Sequence, residues 1–133
     1  MAILIDADAI LQAERGLFDL RAWLSAHPDE VFKVAAITVA ELWHGAESAT
    51  GARMAARQAF LQQISAIFDV VPYTSQTALV HARLWAEIDS SGQTIGSNDL
   101  ILAATAIQTG NAVATFNKHR FVVIKGLNVI EPG

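Results

Sequence analysis

Short apolar runs alternate with segments of helical periodicity along the whole chain, and this alternation limits the possible folds most strongly. Apolar residues recur every three or four positions in the helical segments, while the strand candidates are short aliphatic runs bounded by turn residues. The predicted strands are 3–6, 31–37, 68–71, 112–115 and 128–130. The predicted helices are 9–14, 17–26, a helix starting at 38, 52–67, 74–90 and 97–108. Strands that alternate with helices predict an α/β/α sandwich with a short, mainly parallel central sheet.

The size and composition of the chain predict a single domain that covers residues 1–133. Of the 133 residues 53% are hydrophobic, and no stretch rich in Pro, Gly and Ser separates two halves. No apolar run approaches the roughly twenty residues of a membrane span, and the N-terminus lacks the basic start of a signal peptide. We therefore expect no membrane association and a cytoplasmic location.

The residue types that are missing or scarce exclude several function classes. Without cysteine the chain has no disulfide, thiolate nucleophile or zinc-thiolate site, so that any metal must be bound by oxygen or imidazole. The formal net charge of -4 gives no general attraction to a polyanion. Binding of nucleic acid would therefore have to be local or bridged by a metal ion.

Three predicted helices carry signals that fix their start or their buried face. The TVAE sequence from Thr38 to Glu41 matches a capping box, and Ser97 is a candidate N-cap for the helix that ends before Gly110. The helix at 74–90 has an apolar stripe, which predicts its buried face. That stripe consists of Leu79, Ala82, Trp85, Ala86 and Ile88.

Acidic residues lie where predicted strands give way to helices. Asp6 ends the first strand, Glu41 follows the second, and Asp99 lies in the first turn after Ser97. The ends of parallel strands and the starts of the following helices lie at one side of a sheet, so we expect these carboxylates to share a pocket. Taken singly, each has a structural explanation: Asp6 or Asp8 as a helix cap, Glu41 as part of the capping box, and Asp99 as a charge at a helix N-terminus.

Carboxylates that share a pocket raise one another's pKa unless a cation lies between them. Oxygen ligands without cysteine or an HxH pattern favour Mg²⁺ or Mn²⁺, which also bind phosphate oxygens. The residues themselves leave two reactions open, namely metal-assisted hydrolysis of a phosphodiester and transfer through an aspartyl phosphate.

Four segments in this order resemble the PIN domain, and most closely the VapC-type toxins of bacterial toxin-antitoxin pairs. The segments are LIDAD, TVAEL, IGSNDLILAATA and ATFNKHRF. The resemblance covers nearly the whole chain. It implies a Mg²⁺- or Mn²⁺-dependent endoribonuclease that acts on RNA, forms a homodimer and is inhibited by a cognate antitoxin protein. Aromatic residues on the helices, Trp43, Phe60 and Trp85, also favour association, because they exceed what one small core needs.

The resemblance also assigns roles to individual residues. It implies that Asp6, Glu41 and Asp99 are the catalytic acids and metal ligands. Two polar residues, Thr115 and Asn117, match the supporting pair of the T-x-N-x-x-x-F segment.

Two positions depart from the family pattern. Asp8 stands where relatives often have Asn or Ser, so it is either an added ligand or a helix cap. Arg120 stands where relatives often have an acid or histidine, which leaves a fourth acidic ligand and a second metal open. Lys118 and Arg120 are candidate contacts to RNA phosphates, or members of a solvated basic turn.

Three other functions compete with the ribonuclease. A degenerate PIN domain that only binds a partner remains open because of Arg120. A phosphatase of the haloacid dehalogenase type also begins with a strand and D-x-D, but no lysine lies between the second strand and the last acidic motif. A phospho-receiver domain needs an acceptor at the end of the third strand, where Asp69 lies inside the strand instead.

Overall fold

The computed structural model describes residues 1–133 and consists of a five-stranded sheet between layers of helices. The strands are β1 (Ala2–Ile5), β2 (Val31–Ala35), β3 (Asp69–Val71), β4 (Ala112–Ala114) and β5 (Val129–Ile130). The helices are α1 (Ala7–Glu14), α2 (Leu20–Ala26), α3 (Ala36–Glu47), α4 (Gly51–Ile67), α5 (Ser75–Ser91) and α6 (Ser97–Thr109), with a 3-10 helix at Lys118–Phe121. The predicted α/β/α sandwich is confirmed.

The sheet has the order β3-β2-β1-β4-β5, and every neighbouring pair is parallel. The chain builds outward from β1 through β2 to β3, and then crosses to the other side of β1 to form β4 and β5. The order therefore reverses between β1 and β4, where Leu4 is paired with Val113. In open parallel sheets this reversal opens a crevice beyond the carboxyl ends of the two strands. Asp6 follows β1 into that crevice and Thr115 follows β4.

Each face of the sheet is covered by its own apolar cluster, because alternate side chains of a strand point to opposite faces. In β1, Ile3 and Ile5 join the cluster formed with α1, α2 and α4, whereas Leu4 joins the cluster formed with α5 and α6. All three side chains are buried. The burial of β1 on both faces explains why it is an unbroken aliphatic run.

The start of α3 differs from the prediction, and the expected capping box at Thr38 is wrong. The helix begins at Ala36, directly after β2, and no side chain caps its first turn. Because the backbone turns from strand to helix at once, Thr38 is already inside the helix and is fully buried. Glu41 consequently lies one turn further into the helix than expected, and its carboxylate does not close a capping box.

The predicted buried face of α5 is confirmed at Ile88 and wrong for the rest of the stripe. Its inward residues are Thr77, Leu84 and Ile88, whereas Leu79 and Trp85 are 68% and 55% exposed. Both sides of this helix carry apolar residues, and packing against α6 selects the side that contains Leu84. The outer side therefore keeps an apolar surface, which also includes Ala82 and Ala86.

The other elements differ from the prediction mainly at their ends. A side-chain oxygen of Asp19 accepts a hydrogen bond from the Ala22 N–H at 3.0 Å, so α2 begins at Leu20 rather than at Leu17. The N-cap of α6 is Gly96, and Ser97 is its first residue rather than its cap. The 3-10 helix was not predicted. No helix is long and apolar enough to cross a membrane.

Candidate active site

Asp6 is a buried carboxylate whose two oxygens have different partners. Its Oδ1 accepts a hydrogen bond from the Ala7 N–H at 2.8 Å, so it is the N-cap of α1. Its Oδ2 accepts a hydrogen bond from the guanidinium of Arg120. The backbone N–H of Asp6 is also fixed, since it donates to the Ala114 carbonyl at 2.9 Å. The sheet therefore positions this carboxylate, and the capping role leaves one oxygen for the pocket.

Asp8 lies one residue further along α1 than Ala7 and anchors the chain that leaves β4. Its Oδ2 accepts hydrogen bonds from the Thr115 hydroxyl at 3.0 Å, the Phe116 N–H at 3.2 Å and the Asn117 side-chain amide at 2.7 Å. Its Oδ1 is buried and has no hydrogen-bond partner in the protein. Asp8 is thus not a helix cap, and it reaches Thr115 and Asn117 rather than Asp99.

Asp99 lies in the first turn of α6 and faces the same space as Asp6. Its Oδ1 accepts a hydrogen bond from Nη1 of Arg120 at 3.0 Å. A Cβ at position 96 would lie 3.2 Å from the Asp99 Oδ2, which is closer than nine in ten such contacts in proteins. The glycine in the IGSND segment therefore leaves room for this carboxylate.

Glu41 lies on α3 and is half-buried beside the other two acids. Burial raises the pKa of Glu41, and the negative charges of Asp6 and Asp99 raise it further. Arg120 and the Asn98 side chain act in the opposite direction, but they do not offset the burial. We call the space between Asp6, Glu41 and Asp99 the acidic pocket.

Arg120 extends from the 3-10 helix into the acidic pocket. Its guanidinium bonds to Asp6 and Asp99 at once, and Nη2 also lies 3.8 Å from the Asp8 Oδ2. The side chain is 33% exposed, and its Nε has no hydrogen-bond partner in the protein. The positive charge of Arg120 is therefore shared among Asp99 on α6 and the two aspartates at the start of α1, Asp6 and Asp8.

Burial dominates the electrostatics of the pocket in spite of this arginine. It raises the pKa of Asp6 to about 6, with a further contribution from Asp8, while Arg120 lowers it by less. Burial also raises the pKa of Asp99 more than Arg120 lowers it. All three acids of the pocket thus bind protons more readily than in water, which indicates that one guanidinium does not fully compensate their charges.

The residues of the pocket match a hard divalent cation in chemistry, although their present arrangement does not hold one. Carboxylates that are buried, close together and raised in pKa are the donors expected around Mg²⁺ or Mn²⁺. In this structure no three Asp, Glu or His side chains converge closely enough to bind one ion. The Arg120 guanidinium lies between Asp6 and Asp99 instead.

Comparisons with known proteins identify the family to which this fold belongs. The family model of the PIN domain matches residues 3–127. The chain belongs to the PIN-domain family. Ribonuclease VapC1 of Rickettsia felis is 28% identical over 131 residues, which span 98% of this chain and 96% of that protein. A VapC ribonuclease of Sinorhizobium fredii is 36% identical over 115 residues, which span 84% of this chain and 81% of that protein.

Solved structures show the same PIN fold. VapBC2 from Rickettsia felis bound to a promoter DNA fragment has a TM-score of 0.90 at 20% identity, with 100% of both chains covered. VapBC-5 from Mycobacterium tuberculosis, a member of the VapBC family of toxin-antitoxin systems, has a TM-score of 0.75 at 24% identity, with 98% of this chain and 99% of that chain covered. At these identities the likeness establishes the fold of this PIN domain.

The structure brings most of the sequence-predicted site residues of this PIN domain to one place. Asp6, Glu41 and Asp99 line the pocket, and Thr115 and Asn117 lie beside it through their bonds to Asp8. Lys118 is exposed on the 3-10 helix. Arg120, expected at RNA phosphates or in a solvated turn, bonds to the acids instead.

Sequence reasoning missed two features of the site. The first is that the Arg120 side chain points into the pocket, for which the sequence offered one signal: a basic residue where relatives often carry an acid. The second is the room that Gly96 leaves for Asp99, for which the only signal was the glycine in IGSND.

Proposed function

We propose that this PIN domain is a divalent-metal-dependent endoribonuclease and the toxin of a toxin-antitoxin pair. The observation that carries the proposal is the acidic pocket, in which carboxylates from three different elements meet beyond the carboxyl end of β1. The relatives named VapC ribonuclease support RNA as the substrate. The phosphodiester bond is the reacting group, since a site of hard oxygen ligands suits its anionic oxygens.

Asp6 and Asp99 would hold one Mg²⁺ or Mn²⁺, because one oxygen of each already binds a shared cationic partner, the Arg120 guanidinium. Glu41 would complete the ligand set or orient the attacking water as a base. A bound ion would supply Lewis acidity that polarises the phosphodiester and stabilises the charge that develops on it. Its raised pKa makes the Glu41 carboxylate a stronger proton acceptor than a free glutamate, as a general base requires.

The residues around the pocket would position the acids and the substrate. Asp8, Thr115 and Asn117 form a fixed hydrogen-bonded cluster that holds the segment after β4. Lys118 projects from the exposed side of the 3-10 helix and is the candidate contact to RNA phosphates. Arg120 becomes a second phosphate contact only when its guanidinium leaves the carboxylates.

RNA cleavage by the purified protein tests this proposal. Wild type is expected to cut RNA with Mn²⁺ and not with EDTA, and Asp6→Asn and Asp99→Asn should each lose at least about a hundredfold in rate, as typically follows loss of a catalytic group. Asp69→Asn is the matched control, because it makes the same charge change at an exposed acid of β3. All four proteins are purified in parallel, so that equal cleavage by wild type and Asp6→Asn would mean a contaminating nuclease and would overturn the assignment.

The proposed partners are a cognate antitoxin, as in the VapBC complexes to which the fold is similar, and a second copy of this chain. Both partners and the RNA would be met in the cytoplasm. The outer side of α5 is the proposed dimer surface, because Leu79 and Trp85 are apolar and exposed there. Trp43 and Phe60, which also suggested association, are partly buried against the core and contribute less.

The α5 surface gives the dimer a direct test. Trp85→Glu places a charge in the surface and is expected to yield a monomer in light scattering at concentrations where wild type is dimeric. Leu17→Glu is the control. Leu17 is 72% exposed, and it lies just before α2 and not on α5. A wild-type monomer at high micromolar concentration would contradict the dimer.

One observation favours a second candidate, a PIN domain that binds a partner without cleaving RNA. The Arg120 guanidinium lies where a catalytic cation would neutralise Asp6 and Asp99. If this arginine never leaves the acidic pocket, no metal enters and only binding remains. The absence of cleavage by wild type under any metal concentration would support this candidate.

A further inference from the structure

Arg120 provides the acidic pocket with a positive charge from the chain itself. Its Nη1 and Nη2 donate to one oxygen of Asp99 and one oxygen of Asp6. These oxygens face the pocket, whereas the other oxygen of Asp6 is engaged by the Ala7 N–H. A divalent ion held by the same two residues would need the oxygens that the guanidinium occupies.

A guanidinium and a divalent ion cannot occupy that position together. Both are cations and both need lone pairs of the same oxygens, so their binding is mutually exclusive by charge and by space. A divalent ion carries twice the charge of the guanidinium, so it would compensate the two carboxylates more fully once the side chain has left.

We propose that Arg120 is an internal competitor of the metal, which closes the acidic pocket in the metal-free protein and must leave it before a divalent ion binds. The proposal rests on the metal site of the proposed function. It adds that the apparent affinity for metal is the intrinsic affinity multiplied by the fraction of the protein in which Arg120 is outside the pocket.

The surroundings of Arg120 allow the side chain to leave without a change of fold. Its neighbour Phe121 is buried and anchors the 3-10 helix, while Lys118 and His119 on the same helix are exposed. The backbone before the helix is held separately, by the bonds of Asp8 to Thr115 and Asn117. The Arg120 side chain is partly exposed and its Nε has no partner in the protein, so an outward rotamer breaks the bonds of its two Nη atoms and the contact of the guanidinium with the Phe121 ring, whose centroid lies 5.5 Å away.

This arrangement has a consequence for metal dependence. At low metal concentration Arg120 occupies the pocket and the protein is inactive in spite of an intact set of acids. At higher concentration the ion displaces the guanidinium, which then lies at the rim of the pocket with its charge free. The chain is thereby inhibited by its own residue until metal is sufficient.

Titration of Mn²⁺ into the protein tests the proposal without any measurement of cleavage. Free Mn²⁺ is followed by electron paramagnetic resonance, or heat by calorimetry, for wild type, Arg120→Gln and Arg120→Lys. Arg120→Gln is expected to bind Mn²⁺ at least about tenfold more tightly than wild type, since it cannot compete as a cation. Arg120→Lys keeps the charge and is expected to bind more weakly than Arg120→Gln.

The matched control is Lys118→Gln, which removes the same charge from an exposed position of the same 3-10 helix. It should change Mn²⁺ affinity by less than about twofold, because an exposed charge is screened by solvent. If Lys118→Gln increased the affinity as much as Arg120→Gln, the effect would be one of net charge and the proposal would be wrong.

A second measurement uses the wild type alone and does not depend on the folding of a variant. The side-chain Nε resonance of Arg120 is followed by nuclear magnetic resonance while Mg²⁺ is added. It is expected to shift in step with metal binding, because the guanidinium changes its surroundings. A resonance that stays unchanged while Mg²⁺ binds would overturn the proposal.

The outcomes also separate this proposal from the proposed function. Equal Mn²⁺ affinity of wild type and Arg120→Gln, with loss of binding in Asp6→Asn, would overturn the competition and leave the metal site in place. Absence of binding in wild type and in Arg120→Gln would overturn both. Tighter Mn²⁺ binding by Arg120→Gln than by wild type, together with loss of Mn²⁺ binding in Asp6→Asn, would support both the competition and the metal site.

Discussion

Asp6 and Asp8 are identical residues only two positions apart, yet the structure gives their carboxylates different hydrogen-bond partners, although Nη2 of Arg120 also lies 3.8 Å from the Asp8 Oδ2. Asp8 accepts hydrogen bonds from neutral donors that belong to the fold, namely Thr115, the Phe116 N–H and Asn117. Asp6 faces a charged side chain that is partly exposed. The difference indicates that Asp8 stabilises the fold by holding the segment after β4. The Oδ2 of Asp6, in contrast, is bound to a side chain that another cation could replace.

The three carboxylates of the acidic pocket share one electrostatic feature. Asp6, Glu41 and Asp99 all have a raised pKa, chiefly because of burial. Fixed neutral donors stabilise a carboxylate permanently, while a mobile cation leaves it dependent on what occupies the pocket. Substitutions at Asp8 and Asp6 should therefore change stability in opposite directions.

The largest effect on stability is expected for Asp8→Ala. This change leaves the Thr115 hydroxyl, the Phe116 N–H and the Asn117 amide without their acceptor. Unsatisfied buried donors cost about 1 to 3 kcal/mol each, and water that enters the site offsets part of this, so we expect a loss of about 3 kcal/mol. Urea unfolding measures the loss, with Asp29→Ala as the control at an exposed acid. An unchanged midpoint would mean that Asp8 is not part of the framework.

A smaller effect of opposite sign is expected for Asp6→Asn in the metal-free protein. The pKa of Asp6 is about 6 in the fold and 3.8 as an unperturbed group, so the folded state binds protons more tightly. Its contribution to stability is full below about pH 3.8 and is lost as the pH rises through 6. Asparagine carries no such penalty and still caps α1.

The measurement is the difference in free energy of unfolding between Asp6→Asn and wild type, with EDTA, from pH 4 to pH 7.5. It should move in favour of the variant by at most about 3 kcal/mol as the pH rises. Taking the difference cancels the titration of the acids outside the pocket, while the pKa of Glu41 falls when the Asp6 charge is removed, which acts in the same direction. A difference that does not depend on pH would show that burial does not penalise the Asp6 charge.

The smallest effect is expected for Asp99→Asn without metal at neutral pH. The pKa of Asp99 is raised, so loss of its charge should raise the melting temperature. Arg120 loses a charged partner in this variant, which limits the gain to a degree or a few, or less than about 1 kcal/mol. A clear fall in melting temperature would mean that the ion pair with Arg120 outweighs burial.

The general course of the fold and the meeting of the acids could be predicted from the sequence, because each depends on local pattern. The apolar run before Asp6 predicts a buried strand, and a parallel sheet places Asp6 and Asp99 on the same side without any knowledge of packing. The errors at Thr38 and in α5 have a different origin. Thr38 matched a cap whose helix begins earlier, and α5 has apolar residues on two sides, between which only packing against α6 decides.

Arg120 could not be placed from the sequence for a related reason. A long, flexible side chain on a short 3-10 helix has no periodicity that fixes its direction. Its position follows from the three-dimensional distribution of the carboxylates, to which it is attracted after the fold has brought them together. The sequence therefore predicted where the acidic residues lie, but it did not predict that Arg120 is the positive charge beside them.

The most direct test of the account is a melting experiment on wild type and Asp99→Asn, each with EDTA and with Mn²⁺. The account holds that the acidic pocket binds a divalent ion through Asp6 and Asp99. At a hundredfold excess over the dissociation constant, Mn²⁺ should stabilise wild type by about 2.7 kcal/mol and Asp99→Asn by much less, so that the order of their melting temperatures reverses when metal is added. The absence of any Mn²⁺-dependent shift in wild type, or an equal shift in the variant, would contradict it.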